Sequence, residues 1–323
     1  MRLAGPMLQI FKTQEDKTLK ELSINEFEQG SWFNLIKPTA DEIKQVAAAL
    51  NIDSDFLRDS LDSEERSRIE LDDDKLLIIT NIPMMEDENS FDTLPLGVIL
   101  TPENIVTVSL KENRIISFFN QDTTKLFDTS NRTRFLFQIL FRSTKFYLRY
   151  LEHINRHTDK IEVELRRTMK NKALFQLLDV QKSLVYFTTA LKDNGRVLEK
   201  LSRFKKFAGF SNFMEYNEEI EDLMEDVIIE NKQAVEMVEM HRNILESMMD
   251  AFASIISNNL NIVMKFLTSV TIILAIPTMV SSFWGMNVDV PMAHFHYAFL
   301  GILMFSLILA GIIATILAKK GLF

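Results

Sequence analysis

"KFLTSVTIILAIPTMVSSFWGMNVDV", Lys265 to Val290, carries no charged side chain between Lys265 and Asp289. That leaves about 23 uncharged residues, more than the roughly 20 a helix needs to cross a bilayer core. A second uncharged run extends from Val290 to Ala318 and stops at Lys319 and Lys320. Two buried helices of a soluble core are the competing reading, but soluble cores rarely need uncharged runs this long. The pair predicts two C-terminal spans, about 262–284 and 297–318, joined by an external loop 285–296. The loop holds one acid and no Lys or Arg, whereas Lys265, Lys319 and Lys320 lie on the outer flanks. The positive-inside rule then places both termini in the cytoplasm, in a multi-pass protein of the plasma (inner) membrane.

Upstream the text changes character. "KLLIIT" (75–80), "PLGVILT" (95–101) and "NIVTVSL" (104–110) are short β-branched runs set between turn residues, as strands should be. "TADEIKQVAAALNI" predicts a helix with Thr39 as cap and Glu42 three residues on, a capping box. "DSDFLRDSLD" predicts a second helix. The fold expected is α+β with a membrane part: a cytoplasmic α/β domain over 1–130, a helical region with a long stalk helix over 131–260, and the two spans within 261–323. The N-terminal "MRLAGPMLQIFKTQEDK" lacks a sustained apolar core, so no cleaved signal peptide is expected.

"KKFAGFSNF" (205–213) breaks the helical text, and no further Gly or Pro occurs before Pro277. One helix is therefore predicted from about Met214 through the first span. Such a helix needs packed neighbours to be stable. A seven-residue period supplies a seam: Met224, Val238, Leu245 and Phe252 in one column, Ile228, Val235, Met249, Ile256 and Val263 in the other. Asn231 and Arg242 interrupt it.

Within the span a second stripe runs: Asn261, Met264, Thr268, Thr271, Ala275, Thr278 and Ser282, spaced 3,4,3,4,3,4 on one helix face. Extended backward, the spacing reaches Ser257, Ser254, Asp250, Ser247 and Asn243. Small hydroxylated faces can mediate close helix packing in lipid. The other reading is that this face lines water. Two spans cannot enclose a pore, so several copies would bring the face to a common axis, with Asp250 at the inner mouth. No Asp, Glu, Lys, Arg or His lies on the membrane part of the stripe. Mg²⁺ sheds water reluctantly, so a lining of amide and hydroxyl oxygens suits a hydrated ion. Asn287 at the outer end could accept from its waters, and Gly285 would permit the chain to leave the helix there.

Composition excludes other classes. A net charge of -9 argues against a nucleic-acid partner, and the absence of cysteine rules out disulfides and thiolate chemistry. No phosphate-binding G-x-x-x-x-G-K-[ST] loop, G-x-S-x-G or H-E-x-x-H occurs, so no enzyme is expected. The spans lack acids for a proton relay. The membrane potential alone suffices to draw in cations, at about 2.3 kcal/mol per charge per 100 mV.

Trp284-Gly285-Met286-Asn287, closing the first of two C-terminal spans, resembles the signature of the CorA-type magnesium and cobalt transporters. "LDSEERSRIELDDDKLLIIT" (61–80) is similar to the acidic segment before a cytoplasmic strand in that family. The resemblance covers essentially the whole chain, strongly from about residue 220. It implies a funnel-shaped homopentamer in the lipid bilayer that takes divalent cations, Mg²⁺ and also Co²⁺. It implies an Asn287 selectivity ring held by Gly285 and Met286. Asn261, Leu267, Thr278 and Asp250 match pore positions, Leu267 as part of a hydrophobic constriction. Regulatory Mg²⁺ would sit between subunits on Asp226 and an acid of the N-terminal domain, with Asp72, Asp73, Asp74 and Glu86 to Glu88 as candidates. Ala275 departs from the bulky pore residue of some members. The external loop, with one carboxylate and two histidines, departs from their acidic stretch.

Two histidine pairs remain. His153 and His157 are four apart on a helix, and His294 and His296 share the external loop. Neither pair has a further ligand fixed by spacing. The loop pair keeps open a zinc or other transition-metal transporter on the same scaffold, although Met286 leans against it. A membrane-tethered sensor without a pore is the reading from another class.

Overall fold

The computed structural model describes residues 7–168, 171–204, 213–288, 291 and 296–322. The loop residues Asp289 and His294, and 205–212 of the helix breaker, lie outside the described residues. The chain divides into two compact units, Met1–Glu246 and Ser247–Phe323.

The first unit is built on a seven-stranded sheet. Its strands are β1 (Met7–Thr13), β2 (Leu19–Leu22), β3 (Trp32–Ile36), β4 (Arg68–Asp72), β5 (Lys75–Asp87), β6 (Ser90–Leu100) and β7 (Ile105–Ser109), in the order β2-β1-β3-β7-β6-β5-β4. Among the described strands only β3 and β7 pair in parallel. The remaining neighbours are antiparallel. β3 and the first half of β5 are buried without alternation, as strands covered on both faces must be.

One face is covered by α1 (Ala40–Leu50) and α2 (Ser54–Asp59). Ile43, Val46, Phe56 and Leu57 close there on Phe33, Leu35, Leu77, Ile79 and Val106. Thr39 caps α1 through a reciprocal capping box with Glu42, as its spacing predicts. Gly97 on β6 lets the end of α2 come close: a Cβ there would lie 1.8 Å from Ser60 Oγ. The opposite face meets α3 (Arg132–Thr168) and α4 (Asn171–Phe204). Trp32 sets its ring edge-on to Phe135, and Phe187 does the same with Tyr147 at 5.0 Å. The first unit is thus three layers, helix on sheet on helix.

α5 (Glu218–Trp284) begins in this unit and ends in the second. Asn217 caps it by accepting from Ile220 N–H, and the helix starts at Glu218, four residues later than the predicted start near Met214. Arg134 pairs with Glu219, and Lys145 with Glu230, at 2.8 and 2.6 Å. Both pairs are 85 residues apart, so α3 and α5 run parallel in constant register. Such exposed pairs contribute little energy, and burial supplies the rest. Met224, Asn231, Val238 and Leu245 form one buried column of α5. The second is Ile220, Val227, Ala234 and His241, one residue before the Ile228 and Val235 expected from the sequence. Ile256 and Val263, the far end of that expected column, are exposed. Asn231 is no interruption: its Nδ2 donates to the Leu191 carbonyl at 3.2 Å, beside Gly195.

Candidate functional site

The second unit consists of the C-terminal part of α5 and of α6 (Ala298–Lys319). Both helices are long and apolar enough to cross a membrane. α5 continues through Pro277, whose missing N–H leaves the Ile273 carbonyl without its usual helical donor. The helix ends at Trp284.

Two faces of α5 differ. Ser269, 2% exposed, and Val280, 8% exposed, are buried, as are Ser306 and Ala310 of α6. Ser269 Oγ donates to the Leu322 carbonyl just beyond α6, at 3.1 Å. Ile273, Ile276, Pro277 and Trp284 are half-buried on this same side. Every member of the other stripe is exposed: Asn261, Met264, Thr268, Thr271, Ala275, Thr278 and Ser282. At 3.6 residues per turn the two faces are centred roughly 160° apart. The Thr/Ser side therefore points away from α6. Between Thr271 and Phe283 it forms an open groove of about 550 Å³, with the small Ala275 among its lining residues. Asp250 and Leu267 are exposed as well.

The hydroxyls on this face have a polarity. Thr271 Oγ1 donates to the Leu267 carbonyl at 2.8 Å, and Thr278 Oγ1 to the Leu274 carbonyl at 3.1 Å. Each of these two protons is spent on the helix backbone, so Thr271 and Thr278 present oxygen lone pairs to the groove.

At the end of α5, Gly285 N–H still donates to the Ser281 carbonyl at 3.0 Å. A Cβ at 285 would approach that carbonyl to 3.3 Å. The chain leaves the helix at Gly285, which stands in a turn just past Trp284, and its backbone is not in the left-handed region. Trp284 Nε1 donates to the Pro291 carbonyl at 3.2 Å, holding the return of the chain. Met286 and Asn287 are exposed, and the Asn287 amide has no hydrogen-bond partner among the described residues.

The acids are placed separately. Asp226 is exposed on α5. Asp72 to Asp74 form the β4–β5 turn, with Asp73 at φ 47° and Asp74 paired to Lys75 at 2.6 Å. Glu86 pairs with Lys111. Among the described residues no three His, Asp or Glu side chains converge as a metal site within one chain. His153 lies edge-on to Phe91, with Nε2 3.4 Å from Asn89 Oδ1, against the β5–β6 hairpin. Burial, with His153 beside it, holds the His157 imidazole below its ordinary value.

Comparison with known proteins agrees over nearly the full length. The family model described as "CorA-like Mg2+ transporter protein" matches residues 27–320. The "Cobalt/magnesium transport protein CorA" of Methanocaldococcus jannaschii is 28% identical over 312 residues, 94% of each chain. The "Magnesium transport protein CorA" of Campylobacter jejuni is 22% identical, covering 90% of each. The complete structure of the M. jannaschii CorA magnesium transporter superposes with a TM-score of 0.85 at 24% identity, over 99% of this chain and 100% of that one. By a match that leaves out little more than its first strands, the chain belongs to the CorA-like Mg²⁺ transporter protein family.

Proposed function

We propose that this chain is one subunit of a homopentameric membrane channel that passes Mg²⁺, and Co²⁺ with it, inward along the membrane potential. The observation that carries the reading is the exposed Thr/Ser/Asn face of α5, set opposite the face that α6 covers. Brought around an axis by several copies, that face becomes a wet passage. Its lining is rich in acceptors, because the hydroxyl protons of Thr271 and Thr278 are already used. A hydrated cation presents water hydrogens outward, and acceptor oxygens meet them without stripping the shell. The free Asn287 carbonyl would form the outer ring, Leu267 the constriction and Asp250 the inner ring. Met286 and Gly285 hold the approach to the ring.

Both termini lie in the cytoplasm in this arrangement. Each divalent ion gains about 4.6 kcal/mol per 100 mV on moving in. Cytosolic Mg²⁺ held by Asp226 and an acid of Asp72 to Asp74 on the neighbouring subunit would favour the closed state, and its loss would release it. The test is Mg²⁺ uptake into proteoliposomes, wild type against Asn287→Ala. Uptake should be lost in the variant with assembly intact. Equal uptake would remove the Asn ring from the mechanism. Cobalt hexammine, an inert mimic of hydrated Mg²⁺, should block the wild type.

A further inference from the structure

On the first unit, the sheet face beneath the 3-10 turns Ile116–Phe118 and Gln121–Leu126 holds a pocket of about 290 Å³. Its residues come from one face of three strands. Glu21 on β2, Gln9 on β1 and Asn34 and Trp32 on β3 share it, with Phe119 and Glu112 closing the far side.

Asn34 is the unusual member. It stands mid-strand between β1 and β7, where a β-branched residue would fit better, and it is 4% exposed. A relay fixes its amide: Trp32 Nε1 donates to Thr107 Oγ1 at 2.9 Å, and Thr107 Oγ1 donates to Asn34 Oδ1 at 3.0 Å. The carbonyl end is thereby satisfied. The Nδ2 end has no partner among the described residues and is the end left for the pocket. Nδ2 opens onto the pocket rather than being sealed away, so an outside acceptor there takes the place of water.

The rest of the lining limits the ligand. Glu21 and Glu112 are exposed on the rim, and no Lys or Arg is among the described lining residues. Trp32 and Phe119 are buried and give the pocket an apolar floor, so the two rim carboxylates are what favour a cation. The volume equals about ten waters in the liquid, which excludes nucleotides. We propose that this pocket binds a small organic cation, an amine or amidine, that carries one hydrogen-bond acceptor for Asn34. The site shares no residue with the α5 stripe, so it stands or falls apart from the transport reading.

The test is calorimetric titration of the full-length protein in detergent with histamine, whose ring nitrogen and ammonium match the two ends of the pocket. 2-(2-Aminoethyl)pyridine, which carries an acceptor ring nitrogen and an ammonium, is a second probe, and imidazole-4-acetate is the anionic control. Saturable histamine binding is expected, weakened about tenfold or more in the paired variant Glu21→Gln/Glu112→Gln and lost in Asn34→Leu. The anion should not compete. If Asn34→Leu fails to fold, the rim variant carries the test. Absence of saturable binding by both cations, or unchanged affinity in the rim variant, would overturn the proposal.

Discussion

Thr271 hands its hydroxyl proton to the carbonyl of Leu267, 2.8 Å away and one turn earlier, so the side chain shows the groove an acceptor. Valine has the same shape and no oxygen. Thr271→Val should therefore leave the helix intact, or stabilise it slightly, while taking one acceptor per subunit from the passage. A hydrogen bond contributes about 0.5–1.5 kcal/mol, so Mg²⁺ flux should fall roughly two- to tenfold. Thr271→Ser should retain most of it. Equal uptake by valine and wild-type proteins would mean that this oxygen does not touch the ion's water shell.

How far such a face is legible follows from its local nature. The 3–4 spacing of Thr268, Thr271, Thr278 and Ser282 is a property of one helix, and so is the Thr39–Glu42 capping box. What the sequence leaves hidden is pairing at a distance. The second buried column of α5 follows Ala234 and His241 rather than the bulkier Val235, because α5 lies close to its neighbours on that side. Hydrophobic periodicity favours large apolar residues and passes over a small or polar one at an interface. β3, "WFNLI", is buried on both faces and so shows no alternation to announce it. The Asn34 pocket depends on Thr107, 73 residues away, and no local pattern could join them.

A second long-range contact bears on stability. Asn194 on α4 holds the main chain of Asn81 on β5 at both ends, Nδ2 donating to its carbonyl at 2.8 Å and Oδ1 accepting from its N–H at 3.0 Å. Tyr147 Oη also donates to that carbonyl, at 2.8 Å. Burial pushes the Tyr147 phenol well above its ordinary value, so it stays a donor at any working pH. Asn194→Leu removes both contacts and leaves the Asn81 N–H to Ser67 Oγ, 3.2 Å away, and the carbonyl to Tyr147. A loss of about 1–3 kcal/mol is expected, or roughly 2–12 °C in apparent Tm for a unit of this size. Thermal unfolding followed by circular dichroism measures it, and an unchanged Tm would show that the clamp is redundant with Ser67 and Tyr147.

His241 makes the seam acid-sensitive. It is buried on α5 with Nε2 unpartnered, and burial holds its pKa below the ordinary value, with Asp159 pulling weakly the other way. Above about pH 6.5 the imidazole is neutral in folded and unfolded chains alike, and its packing contributes fully. As pH falls below that value the unfolded chain takes up a proton that the folded seam refuses, so stability is lost. The loss levels off once the lowered native pKa is passed. His157, lowered in the same direction, adds to the slope. His241→Leu should flatten part of the fall in Tm between neutral and mildly acidic pH. Parallel pH profiles for the two proteins would assign the acid sensitivity elsewhere.

The last prediction concerns control by the transported ion itself. Asp226 is exposed on α5 and engaged by no ion pair among the described residues, while Asp74 is already held by Lys75. Asp72 and Asp73 are thus the acids of the β4–β5 turn free to face another subunit. A carboxylate pair across an interface repels when empty and attracts when a divalent cation lies between. On the proposed reading, binding energy would then go into the closed arrangement alone, and the ion would inhibit its own flux. Asp226→Asn removes both the repulsion and a ligand. Mg²⁺ inside proteoliposomes should therefore inhibit uptake only at concentrations about fivefold or more above those needed for wild type. The rate at vanishing internal Mg²⁺ should be little changed, since Asp226 belongs to the first unit and not to the stripe. A variant with the same inhibition curve as wild type would place the sensor on other acids. One that lost flux at low internal Mg²⁺ would mean that Asp226 holds the subunits together rather than sensing the ion.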